Sequence, residues 1–239
     1  MNRPLMRGAG SKAILAALMF VGLAVLPQSA TAFETTAKFA ILLDQQTGRV
    51  LLEKEADVPM APASMSKLMT VLMMFERLGD GSLAMDDTFP VSEKAWRMGG
   101  SKMFVSVNTR VRVEDLLRGI VVQSGNDACI VVAEGLASSE TAFADQMTTR
   151  AQELGLQNST FANATGWPHP DQRMSTRDLA TVAGLLIEKF PQYYPLFSEK
   201  TFTYNDIRQG NRNPLLYRYD GADGLKTGHT EESGYGLVA

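Results

Sequence analysis

From Ser64 to Leu78 the chain carries Met65, Leu68, Met69, Val71, Leu72, Met73, Met74 and Phe75, with Gly79 to stop the run. A helix of that composition has no solvent face and is stable only when other elements cover it on all sides. The rest of the chain must therefore enclose it. A length of 239 residues is enough for one good core with room for a small second domain. Apolar residues make up 45% and charged residues 21%, the balance of a globular chain rather than a disordered one.

The enclosing elements read as a mixture of strands and helices. "FAILL" (39–43) and "VLLEKEA" (50–56) flank "DQQTGR", a turn with Gly48, and form a β-hairpin. "DVPMAPA" follows as a Pro-containing loop leading into the buried helix. Further helices are expected at 113–121, 126–137, 140–154 and 176–189, the last capped by Ser175 or Thr176. The closing stretch "DGLKTGHTEESGYGLVA" reads as strand, turn and strand. From Phe33 onward this is a single α+β domain without internal repeats.

The first residues have a different character. Arg3, Arg7 and Lys12 precede an apolar run, Ala13 to Leu26, that is short for a transmembrane helix. Pro27 and then "SATAF", with Ala30 and Ala32, fit a cleavage site, so residues 1–32 read as a secretory signal peptide and the mature chain starts at Phe33. The alternative is an uncleaved N-terminal anchor. Export agrees with a lone Cys129, which has no internal disulfide partner and lies in the apolar run "DACIVVA" as a small buried hydrophobe. Net charge is −3 with no Lys/Arg block, so nucleic acid is not an expected partner. Two His and one Cys do not make a typical zinc site, and neither a metal nor another cofactor is expected.

Chemistry enters with "PASMSKLMT" (62–70), in which Ser64 stands three places before Lys67. Such a pair shares one helix face, and a Ser in the first turn lies in the positive field of the helix N-terminus. About one Ser-x-x-Lys arises by chance in a chain of this size, so Ser64 reads equally well as a nucleophile or as a cap. Two more patterns decide between them. "QSGND" supplies Ser124, Gly125 and Asn126 at the entry to the second long apolar helix, and "LKTGH" supplies Lys226, Thr227 and Gly228 on the penultimate strand. Ser-x-x-Lys, Ser-x-Asn and Lys-Thr-Gly in this order are the signature of active-site serine penicillin-recognising enzymes.

From about Phe39 onward the chain resembles the low-molecular-mass penicillin-binding proteins, the D-alanyl-D-alanine carboxypeptidases of peptidase family S11. "PASMSKLMT", "VQSGNDACI", "STRDLA", "FTYNDIRQGNRNPLL" and "DGLKTGHTEESGYGLVA" carry the resemblance. It implies a penicillin-binding-protein/β-lactamase-like fold, an antiparallel sheet flanked by helices with a helical subdomain. It implies an exported enzyme, in the periplasm or on the outer face of the cytoplasmic membrane. Its partners would be peptidoglycan stem peptides ending in D-Ala-D-Ala, with β-lactam antibiotics as covalent inhibitors. Ser64 would be the nucleophile, Lys67 its base, held neutral by burial and by the nearby charge of Lys226, and Ser124 the proton relay to the leaving amine. Asn126 would bind the substrate amide, and Lys226 and Thr227 its terminal carboxylate. Gly228 lets the strand approach closely, and the backbone N–H groups of Ser64 and His229 would form the oxyanion hole.

Other residues take plainer readings. The His229 side chain is structural or a pKa tuner, since no acid partner accompanies it; His169 is a surface residue. Trp96 packs, with a place on the cleft rim as the alternative. A β-lactamase would add a Glu in Glu-x-x-Leu-Asn, whereas "ELGLQ", Glu153 to Gln157, lacks the Asn. Endopeptidase action, or a silent cell-wall-binding fragment, also remains open. The resemblance further implies a β-rich second domain and a C-terminal amphipathic membrane anchor, neither of which is in this sequence. Residues 33–239 are therefore expected to be a catalytic domain incomplete at its C-terminus, poorly folded and inactive alone. The strand of Lys226 would lose its link to the sheet of Phe39–Leu43.

Overall fold

In the computed structural model the apolar stretch divides into two pieces: a 3-10 turn over Ala63–Ser66, then an α-helix over Lys67–Gly79 (α1). The structure describes Met1 and residues 34–239, so the expected signal peptide and its cleavage site lie outside the described residues. The chain divides into two units, Met1–Thr36 and Ala37–Ala239, and the described strands and helices all belong to the second. Before α1 come the strands Ala40–Asp44 (β1) and Arg49–Lys54 (β2). After it come Thr88–Pro90 (β3), the short helix Glu93–Arg97 (α2) and Arg110–Arg112 (β4). Four helices follow: Val113–Val121 (α3), Asn126–Ala137 (α4), Glu140–Glu153 (α5) and Thr176–Lys189 (α6). The chain then runs through Thr201–Tyr204 (β5), Ile207–Gly210 (β6), Leu215–Arg218 (α7), Lys226–Thr230 (β7) and Gly234–Val238 (β8).

The enclosed helix is where the apolar pattern requires it. Every residue of α1 from Lys67 to Phe75 is buried, and α3, α5 and α6 pack around it. Phe75 anchors one end in an aromatic cluster, its ring 5.1 Å from that of Tyr193 and 5.8 Å from that of Phe190. Each buried Leu, Met or Phe of this helix contributes about 1.5–3 kcal/mol by leaving water. A second core helix, α4, is buried from Asn126 to Ala133 and packs against α2, α3, α5 and β3. Its Gly135 admits the Phe89 ring of β3, which would lie 2.4 Å from an added Cβ. Local signals set the helix starts: Ser92 caps α2, Ser139 caps α5 and Ser175 caps α6, each accepting a backbone N–H three residues on.

Strand pairing is antiparallel, in keeping with the α+β expectation. Among the described residues the strands pair as four two-stranded sheets rather than as one continuous sheet. β1–β2 and β7–β8 are separate hairpins. Between them runs a groove of about 1800 Å³ lined by Phe39, Ile41 and Leu43, Leu179 and Ala183 of α6, Leu237 of β8, and Ser64.

Candidate active site

The 3-10 turn fixes how Ser64 faces the core. Ala63 has a φ of +47°, and Ser66 folds back to donate from Oγ to Ala63 O at 3.0 Å. Lys67 then opens α1 fully buried, its Nζ 2.8 Å from Ser64 Oγ and 2.5 Å from the carbonyl oxygen of Thr165. No side chain caps either helical segment, so Ser64 is not an N-cap: its hydroxyl faces the lysine instead. A helix start without acidic residues in its first turn leaves the positive end of the peptide dipoles uncompensated beneath this pair.

β7 closes the site from the other side. Lys226 Nζ donates to Ser124 Oγ at 3.0 Å and to Thr227 O at 2.9 Å. Gly228 brings the strand against the 3-10 turn, where an added Cβ would stand 3.1 Å from both Ser64 N and Pro62 O. No larger residue fits there without moving one chain off the other. Thr227, Gly228 and His229 line the same groove as Ser64, and His229 stacks its ring on that of Tyr235 across the hairpin at 4.1 Å. That contact agrees with the structural reading of the His229 side chain.

Two buried lysines with few anionic partners are costly, and both respond. Burial, helped by the Arg212 charge and opposed by Cys129 and Asp127, brings Lys67 down from an ordinary value of 10.5 to about 8. Lys226 is also pushed well down, first by burial and then by the charges of Lys67 and Arg212. The two lysines thus disfavour each other's charge, as the sequence led one to expect, and Arg212 adds a further positive charge that the sequence did not point to. Cys129 lies at 0% exposure near these groups, its thiol pushed by burial up to about 12, so it stays protonated as the small hydrophobe expected.

Ser124 sits in a tight, strained turn before α4, at a φ of +59°, and Asn126 opens the helix. Asn126 is tied to the neighbouring segment by its N–H to Ser101 O at 2.7 Å and by Nδ2 to Gly99 O at 2.9 Å. Arg212, an exposed residue, lines the groove and donates to Ser101 Oγ at 2.5 Å. The structure therefore gathers Ser64, Lys67, Ser124, Asn126, Lys226, Thr227, Gly228 and His229 around one cleft. Four contributors carry no signal in the sequence. Thr165 acts through a backbone carbonyl, for which any side chain would serve, and Gly166 lies outside the quoted patterns; Asp127 and Arg212 lie inside "QSGND" and "FTYNDIRQGNRNPLL", but nothing in those patterns gives them a task at the site. His169 is at the surface, half-exposed as expected. Trp96 is 42% exposed rather than packed, with the Arg97 guanidinium over its ring.

Comparison with known proteins agrees with this geometry. The family model for the peptidase S11 D-alanyl-D-alanine carboxypeptidases matches residues 26–239. The D-alanyl-D-alanine carboxypeptidase DacA of Haemophilus influenzae is 39% identical over 210 residues, covering 86% of this chain and 53% of that protein. The D-alanyl-D-alanine carboxypeptidase DacF of Bacillus subtilis is 39% identical over 212 residues, with 85% and 53% covered. Penicillin binding protein 5 from Haemophilus influenzae superposes with a TM-score of 0.83 at 38% identity, over 86% of this chain and 61% of that one. The chain spans about half the length of the curated relatives it matches. Similarity across nearly all of residues 26–239, in sequence and in backbone, places the chain in the peptidase S11 family of D-alanyl-D-alanine carboxypeptidases.

Proposed function

We propose that this chain carries the catalytic machinery of an exported, penicillin-sensitive serine D,D-carboxypeptidase that removes the terminal D-alanine from peptidoglycan stem peptides ending in D-Ala-D-Ala. The observation that carries the reading is a fully buried Lys67 whose Nζ lies 2.8 Å from Ser64 Oγ and whose ammonium form is disfavoured by burial. Neutral Lys67 accepts the Ser64 proton as Oγ attacks the carbonyl between the two D-alanines. Backbone N–H groups of Ser64 and His229 face the developing oxyanion. The C–N bond breaks as Ser124 passes a proton to the departing amine, leaving an acyl-enzyme and free D-alanine; water then releases the shortened peptide. Lys226 and Thr227 receive the substrate's terminal carboxylate, whose negative charge restores the ammonium form of Lys226 that burial disfavours. Arg212, beside Ser101, adds a second cation to that end of the cleft.

A β-lactamase reading is weaker. Glu153, in the nearest match to the deacylating pattern, sits on α5 in an ion pair with Arg150 at 2.8 Å. It lines a groove with Met73 and Glu76, whereas Ser64 lines the groove between the two hairpins.

The test is acylation by a fluorescent penicillin, with the adduct mapped by peptide mass spectrometry. The adduct is expected on the peptide containing Ser64; absence of labelling, or an adduct on another residue, rejects the reading. The pH dependence of the acylation rate constant is a second check. Below about 8 Lys67 holds its proton and cannot accept another, so the rate is expected to climb through that region and level off above it. A rate flat from about pH 6 to 9 would remove Lys67 as base.

A further inference from the structure

Asp127 is fully buried, directly follows Asn126 and makes no ion pair among the described residues, so the catalytic steps leave it without a task. Its carboxylate is fully engaged all the same. Oδ1 accepts the N–H of Met103 at 2.9 Å and of Ala128 at 2.9 Å, and Oδ2 accepts those of Phe104 at 2.9 Å and Val105 at 3.1 Å. Three of these donors are consecutive amides of the segment that walls the cleft, the segment whose Gly99 and Ser101 carbonyls hold Asn126. The conformation held in this way is strained. Phe104 has a φ of +68° and is 46% exposed, and Ser124 has a φ of +59°. A non-glycine residue stays there only when its surroundings over-determine it. Gly125 leaves no slack, since an added Cβ would be 3.0 Å from Asp127 Oδ1 and 3.2 Å from Met103 N.

We propose that Asp127 is the positioning residue of the site: its carboxylate clamps the 103–105 amides to the head of α4 and thereby holds Ser124 in its strained turn and Asn126 at the first position of the helix, on the cleft of Ser64 and Lys67. Its charge has a second effect. Of the groups acting on Lys67, Arg212 lowers its proton affinity while Asp127 and Cys129 raise it, and Cys129 is an uncharged thiol. Lys226 of β7 is the other buried lysine of the site, and its positive form and that of Lys67 disfavour each other. Asp127 is therefore the carboxylate that offsets these cations, and its removal lets Lys67 lose its proton at lower pH.

The inference rests on the reading of Ser64 as a penicillin-reactive nucleophile. Its test compares the full-length protein with Asp127→Asn, which keeps the shape but replaces one acceptor oxygen by an NH₂ group facing N–H donors. The expected result is a cooperative melt, acylation by penicillin slowed about 100-fold, and the acid limb of the pH–rate profile displaced to lower pH. Adding Phe104→Gly, which accepts a positive φ without strain, is expected to recover part of the rate. A folded Asp127→Asn protein that reacts at the wild-type rate overturns the proposal. So does a loss of rate with an unmoved acid limb and no recovery by Phe104→Gly, which would mark a merely structural role. Should Asp127→Asn not melt cooperatively, amide exchange of the wild-type protein decides. The 103–105 amides are then expected to exchange as slowly as those of α4 despite the exposure of Phe104, and exchange at open-loop rates overturns the proposal. If the wild-type protein is not acylated at all, the reading of Ser64 has failed, and the exchange measurement still judges the clamp.

Discussion

Lys67→Arg is expected to lower the rate of Ser64 acylation about 1000-fold, the scale of a lost general base. Arginine keeps the positive charge and length but has no accessible neutral form, so it cannot take the Ser64 proton. Packing alone does not produce such a loss, provided the variant still melts cooperatively. The planar guanidinium must also fit where an ammonium meets Ser64 Oγ and Thr165 O, so some decrease in melting temperature is expected beside the kinetic effect. The measurement is penicillin acylation in rapid-mixing assays together with a thermal melt. Acylation within about tenfold of wild type in a folded variant would remove Lys67 from the proton path.

The second large effect is expected at Gly166, which carries no chemistry. Its φ is +79°, and an added Cβ would meet Ala63 O at 1.9 Å and Ser66 Oγ at 2.6 Å. Gly166→Ala therefore combines a left-handed backbone penalty of about 1–2 kcal/mol with a backbone overlap that forces the 3-10 turn and the 163–167 loop apart. Overpacking of that kind costs about 1–3 kcal/mol more. A chain of this size loses about 2–4 °C per kcal/mol, so the melting temperature is expected to fall by roughly 10 °C. Because Thr165 supplies the carbonyl that holds Lys67, acylation is expected to fall as well. A melt within about 2 °C of wild type would show that the contact yields without cost.

These two positions illustrate what could be read from residues alone. Lys67 was legible because a lysine inside an apolar helix, three places after a serine, has few structural reasons to be there. Gly166 was not legible, since its importance lies in the approach of a loop far downstream in sequence to the turn of Ser64. The long helices were foreseen nearly to the residue: α3, α4 and α6 begin and end where the apolar period and the caps place them, and α5 falls one residue short of its expected end. The start of the central helix was not, because a 3-10 turn and an α-helix present the same apolar pattern over one turn. The short elements α2, β3, β4, β5, β6 and α7 offer too few residues for any period to emerge. Within the site, side chains in short patterns were found. The Thr165 carbonyl, the Asp127 clamp and Arg212 were missed because tertiary packing alone gives them their tasks.

The bonds that tie the site together also bear on when it comes into being. Lys67 reaches its carbonyl partner across 98 residues of sequence, and Lys226 reaches Ser124 across 102. Loops of that span close late, and folding dominated by distant contacts is slow. A chain that has not finished folding would hold Ser64 and Lys67 within one helical turn of each other, yet neither lysine would have its enclosing partner. Lys67 in a solvated helix has an ordinary pKa and remains protonated. On the proposed reading of Ser64, its nucleophilicity is a late product of folding, and covalent capture by penicillin would be a clock that starts only when the most distant segments have met.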